Sequence, residues 1–164
     1  MNPRLDVFTD GQYDVTRLEE IYSINQKNIP AVGALESVDK LKELLSISSY
    51  HSVLLLNNTV IGFTICFREK TIYWSENYKY FTNHLKKFLY IDRVAIDENY
   101  RRKGFGKKLY EDIFLNTQQE VLSITAEVNT KPINQASLSF HTHMGFKQIG
   151  KRDFDDHNVA YFIK

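Results

Sequence analysis

Val94-Ala95-Ile96-Asp97-Glu98-Asn99-Tyr100-Arg101-Arg102-Lys103-Gly104-Phe105-Gly106-Lys107-Lys108-Leu109 is the most informative stretch of this 164-residue chain. It reads as the end of an apolar strand, a short basic turn with two glycines, and the start of an amphipathic helix. Phe105, Leu109 and Ile113 recur in that helix at four-residue steps, with Tyr110 and Phe114 beside them. The first turn of a helix leaves N–H groups without intrahelical partners, and the helix dipole adds partial positive charge there. A pyrophosphate is the natural guest of such a turn. Gly104 and Gly106 remove side chains that would block close approach, while Arg101, Arg102, Lys103 and Lys107 add charge. Spacing sets two other phosphate loops aside. A dinucleotide fingerprint needs a third glycine where Leu109 stands, and a P-loop needs Ser or Thr after Gly-Lys, where Lys108 stands.

Upstream, Phe88–Ile96 predicts a strand in mid-sheet, interrupted mainly by Asp92-Arg93. Two earlier strands, Ser52–Leu56 and Val60–Phe67, are joined by Asn57-Asn58-Thr59. Asparagine tolerates left-handed backbone, so the joint predicts a tight hairpin. Ahead of them, Val15, Leu18, Ile21 and Tyr22 predict a helix, and Ser37 caps a second over Val38–Leu45. Pro30 and Gly33 mark Asn28–Gly33 as a loop, and a strand-like piece around Leu5–Phe8 precedes it all. Arg68–Lys87 is rich in aromatic residues and shows no period. Downstream, Val121–Val128 predicts a strand, and Pro132 the start of a helix that Gly145 stops. Phe146–Ile149 and Val159–Ile163 predict two closing strands. The order is mixed α/β with more strands than helices. With no repeat and no linker, one domain over residues 1–164 is expected.

Arg101-x-x-Gly104-x-Gly106 behind a buried strand resembles the acyl-CoA-binding motif of the GNAT superfamily of N-acetyltransferases. Asn134-x-x-Ser137-x-x-Phe140-His141-x-x-x-Gly145-Phe146 is similar to that family's later signature. Two motifs in the right order, with a strand between them, are more specific than either alone. The resemblance implies an α/β (α+β) fold with a mixed, mostly antiparallel central sheet flanked by helices. It implies acetyl-CoA as acyl donor. Its pyrophosphate would rest on the loop Arg101, Arg102, Lys103, Gly104, Phe105, Gly106 and Lys107, and its pantetheine arm beside Val94, Ala95 and Ile96. Asn134, Ser137 and Phe140 of the second signature would add cofactor contacts.

The resemblance also implies roles in chemistry. His141 stands where many members carry a Tyr that protonates the departing CoA thiolate. An imidazole, with an ordinary pKa of about 6.5, can serve near neutrality. The plain alternative is a partly buried helix residue. An amine must be neutral to attack the thioester, so a base must take its proton. Members often use a carboxylate on the strand before the CoA loop or on the next one. Here those are Asp92 and Glu127, with Asp92 ranked first although Arg93 beside it invites a structural ion pair. A strand N–H near Val94 or Ala95 would meet the oxyanion.

Composition narrows the class. A formal net charge of +1 gives no global field toward nucleic acid or anionic membranes, so neither is expected as a partner. The lone Cys66 excludes an internal disulfide and a cysteine-rich zinc site, and no metal is expected. No run approaches the roughly 18 apolar residues of a membrane helix, and no signal peptide opens the chain, so a cytoplasmic protein is expected. Nothing argues against a homodimer. The acceptor expected is a primary amine of a small molecule or amino acid, with Ile72, Tyr73, Trp74, Tyr78, Tyr80, Phe81 and Phe88 crowding the segment where the family commonly receives it, although for most of them the plain alternative is packing of a long loop onto the sheet. The alternatives are a protein lysine or N-terminal acetyltransferase and a non-catalytic acyl-CoA-binding module.

Overall fold

The computed structural model describes residues 2–7, 13–120 and 123–164. In chain order it runs β1 (Arg4–Val7), α1 (Val15–Lys27), α2 (Val38–Ile47), β2 (Tyr50–Leu56), β3 (Thr59–Arg68), α3 (Glu76–His84) and β4 (Phe88–Ile96). It continues with α4 (Phe105–Thr117), β5 (Ser123–Lys131), α5 (Gln135–His143), β6 (Lys147–Asp153) and β7 (Asn158–Ile163). Short 3-10 turns flank α4 on either side. The strands form one sheet in the order β1-β2-β3-β4-β5-β7-β6, antiparallel throughout except where β4 and β5 run parallel.

The period-two rule sorts β4 onto the two faces. Phe88 and Tyr90 join a core with Leu18 and Ile21 of α1, Leu41 of α2 and Phe81 of α3. Leu89 and Ile91 face Tyr110 and Ile113 of α4. The alternation then breaks. Ile65 of β3 opposes Arg93 while Cys66 opposes Ile91, so Asp92 is the extra residue of a bulge. Beyond it Ala95 lies in the first core and Val94 packs against the second.

The β4–β5 ladder is short. It pairs Phe88–Tyr90 with Ser123–Thr125 and stops, while β4 stays paired to β3 as far as Ile96 and β5 to β7 as far as Lys131. The two central strands therefore part beyond Tyr90 and Thr125, leaving one edge of Val94–Ile96 without a strand partner.

Several sequence expectations need adjustment. Asn57 and Asn58 both adopt positive φ, 49° and 63°, as the tight hairpin requires. The aperiodic aromatic stretch contains α3, capped by Ser75. Only Tyr78 and Phe81 of that helix are buried, too few for a visible helical period. Helix α5 begins at Gln135 and not at Pro132, because the Asn134 side chain accepts from Ser137 N–H and sets the cap. Its end follows the glycine rule. Gly145 (φ 87°) donates to Thr142 O, and Phe146 N–H donates to His141 O. Phe8, Val121 and Leu122 of the expected strands lie outside the described residues. No helix among the described residues is long and apolar enough to cross a membrane.

Candidate active site

Two cavities open from the wedge between β4 and β5. The first, about 830 Å³, is bounded by Val94–Ile96, the first turn of α4 and the inner face of α5. The second, about 1020 Å³, lies among the loop after α1, helix α2 and the segment Ile72–Ser75. Both are lined by Asp92, Glu127 and residues 29–32, so they meet where the strands part.

The first cavity ends on an open helix cap. Helices α1, α2, α3 and α5 each have an N-cap side chain, Asp14, Ser37, Ser75 and Asn134, that accepts from a first-turn N–H. The N-cap of α4 is Gly104, at φ 80°, which makes no side-chain cap bond. Its leading N–H groups are left for a guest. A Cβ on Gly106 would come no nearer than 3.9 Å to Phe140, so the space beside this turn is open. The residues present fit the pyrophosphate of a CoA thioester. Arg102, held at φ 61°, and Lys107 also line the cavity.

Arg101 ties the turn down. Its Nη2 donates to Asn28 Oδ1 (2.9 Å) and its Nε to Ile96 O (3.4 Å). Lys103 lies off the cavity wall, its Nζ donating to Asn99 O (3.0 Å). The remaining expected residues, Val94, Ala95, Ile96, Arg101, Phe105, Asn134, Ser137 and Phe140, all line the first cavity. The loop after α1 roofs the wedge. Asn129 Nδ2 of β5 donates to Pro30 O (2.9 Å), and Arg93 of β4 donates to Gly33 O.

The two carboxylates differ in their company. Asp92 pairs with Arg93 Nε (3.0 Å) and accepts from Tyr73 Oη (2.8 Å), so both its oxygens are held. Burial raises its pKa, with Arg93 and Tyr73 pulling the other way. Glu127 Oε1 accepts from Tyr90 Oη (2.9 Å) and Asn77 Nδ2 (3.3 Å), and Tyr161 Oη holds Asn77 in turn (2.9 Å). Oε2 of Glu127 is enclosed and has no protein partner. Burial, and after it the Asp92 charge, push Glu127 up to about 8. A carboxylate with that value can take a proton near neutral pH.

His141 is 4 % exposed and both its ring nitrogens are engaged. Nδ1 lies 2.8 Å from Ser137 O, which only accepts, so Nδ1 carries the proton of the neutral ring. Nε2 then accepts from Tyr110 Oη at 2.8 Å. Burial lowers the His141 pKa and favours that neutral form. Cys66 is buried with its thiol pushed up to about 12 by desolvation, which makes it inert. Among the described residues, no cluster of His, Cys, Asp or Glu is arranged to hold a metal ion.

Tyr73, Asn77, Tyr90 and Tyr110 complete these contacts and were not singled out for them in the sequence. Asn77 sits on the helix hidden in the aromatic stretch. Tyr90 was legible only as the residue two before Asp92, on the same strand.

A mostly antiparallel sheet whose central parallel pair parts beside an open helix cap defines the acyl-CoA acyltransferase architecture. Residues 18–146 match the acetyltransferase (GNAT) family, and the chain belongs to it. It is an acetyl-CoA-dependent N-acyltransferase. No curated protein sequence matches it. Among solved structures, Ard1 from Thermoplasma volcanium is similar with a TM-score of 0.75 at 17% identity, over 99% of this chain and 96% of that one. The ribosomal-protein-S18-alanine N-acetyltransferase from Escherichia coli gives 0.70 at 15%, over 99% and 92%. NAA60 from Arabidopsis thaliana, solved in complex with acetyl-CoA, gives 0.72 at 12%, over 99% and 98%. At these identities the likeness is one of fold.

Proposed function

We propose that the chain moves the acetyl group of acetyl-CoA to a primary amine of a small molecule, the donor lying in the first cavity and the acceptor entering by the second. The observation that carries this reading is the meeting of the two cavities at Asp92 and Glu127, of which Glu127 keeps one oxygen without a protein partner. Glu127 takes the amine proton, and the neutral nitrogen attacks the thioester carbonyl. Asp92, committed to Arg93 and Tyr73, acts through its charge by keeping Glu127 basic. The open edge of Val94–Ile96 leaves backbone groups for the pantetheine arm and a donor for the oxyanion. Holding both substrates at one junction supplies much of the rate.

His141 receives a positioning role in this scheme. Its one proton is spent on Ser137 O and its Nε2 on Tyr110, so the neutral ring has none to give the thiolate. The experiment that tests the reading is Glu127→Gln under saturating acetyl-CoA. The expected loss in kcat is about a hundred- to ten-thousand-fold, the usual contribution of a general base, with acetyl-CoA affinity kept. A folded Glu127→Gln protein with the parent kcat, chemistry being rate-limiting, removes Glu127 from the mechanism.

A further inference from the structure

We propose that the acceptor is an amine with an aromatic or branched apolar body and no carboxylate. It would seat that body in the second cavity and its nitrogen at Glu127. This rests on the reading of Glu127 given above and adds the chemistry of the rest of the molecule to be acetylated.

Charge argues first. Glu36, Glu43, Asp92, Glu127 and Asp156 line the second cavity, against Lys40 and Arg93. Both cations are already matched inside it, Lys40 to Glu43 at 2.8 Å and Arg93 to Asp92 at 3.0 Å. Arg93 spends a further donor on Asn25 Oδ1 (2.7 Å) and Gly33 O. His157 Nδ1 is 2.6 Å from Asp156. The same pairs match Glu43, Asp92 and Asp156, so Glu36 and Glu127 are the carboxylates left over: a substrate ammonium finds acceptors here, and a substrate carboxylate meets neither Lys40 nor Arg93 unmatched. In a free α-amino acid the carboxylate is fixed beside the amine, so it would lie against Asp92 and Glu127.

Apolar surface argues second. Ile72 is 93 % exposed and Trp74 78 %, and both line this cavity together with Ile29 and Ile47. Large apolar residues scattered singly on a surface need no explanation, but several that line one cavity mark a binding surface. The wall is continuous with the base. Trp74 lies against Tyr73 (ring centroids 5.7 Å apart), and the Tyr73 hydroxyl donates to Asp92. A substrate reaching from Glu127 to Trp74 therefore needs a bulky apolar body as well as its amine.

The test is steady-state transfer from acetyl-CoA to a matched series: 2-phenylethylamine, phenylalanine, phenylalanine amide, ethylamine and a peptide amide beginning with phenylalanine. For phenylethylamine and phenylalanine amide, similar kcat/KM is expected. For phenylalanine a value lower by about a hundredfold is expected, the scale of one like-charge contact in a partly screened site. Trp74→Ala should narrow the phenylethylamine-over-ethylamine ratio by about tenfold, as loss of aromatic burial does. Phenylalanine used as well as phenylethylamine overturns the proposal. So does transfer confined to the peptide, which would point to a polypeptide acceptor, or an unchanged ratio in Trp74→Ala. Ethylamine transfer that survives Glu127→Gln sinks the role of Glu127, whatever the acceptor preference.

Discussion

Glu127 joins two properties that pull against each other. Its burial beside Asp92 gives it a proton affinity suited to an amine, and the same burial makes its charge costly to the fold. A carboxyl whose pKa is raised on folding contributes its full stability below the ordinary value of 4.5. That contribution is lost as pH rises through about 8. Glutamine stays neutral at every pH. Glu127→Gln should therefore melt above the parent, with a gap that grows from about pH 5 to about pH 9; in a domain of this size each kcal/mol is worth about 2–4 °C. Scanning calorimetry across that range measures it, and a gap indifferent to pH would contradict the assigned ionisation. Activity moves the other way. In the parent enzyme kcat/KM should climb with pH and level off above about 8, as Glu127 becomes a carboxylate. His141 carries the opposite expectation to a general acid. Since its one proton is committed, His141→Phe should cost less than about tenfold in kcat, where loss of a true acid costs about a hundredfold or more. A larger loss, with chemistry limiting and the protein folded, would return the proton-donor role to it.

Helix α4 shows what a contiguous motif can reveal. Arg101–Gly106 lies within one turn of chain, so its open cap and basic flank were legible from spacing, as was the Asn57–Asn58 hairpin from the backbone habits of asparagine. Helix α3 was not, since two buried aromatics in nine residues make no period. The start of α5 was misplaced because the cap is set by the Asn134 side chain, not by the nearby proline. The two glycines of the turn call for different tests. At Gly104, φ 80° strains any bulky residue, so a loss of binding there would mix backbone damage with blocked space. Gly106 is inside the helix with room for a Cβ, so Gly106→Val should fold and still lose acetyl-CoA affinity by at least tenfold. Calorimetric titration on protein of unchanged helical content reads this directly. Full affinity would mean that the phosphates rest elsewhere.

Across the whole molecule, the site exists because the sheet comes apart. Strand β4 keeps β3 and strand β5 keeps β7, and the three-residue ladder between them leaves a wedge that serves two cavities. Sequence named the strand, the loop and both carboxylates, yet not which carboxylate has a free oxygen. That depends on Tyr90 and Asn77, which are 37 and 50 residues away from Glu127 and share no local pattern with it. The same distance in sequence hid the bulge at Asp92, visible only as a register shift against β3. The most direct test of the account is the structure of the protein with acetyl-CoA bound. It should show the pyrophosphate on the first-turn amides of α4, the pantetheine arm against the open edge of Val94–Ile96, and the thioester carbonyl where the two cavities meet at Asp92 and Glu127. A thioester placed away from Asp92 and Glu127, or a β4–β5 ladder continuous through Ile96, would contradict it.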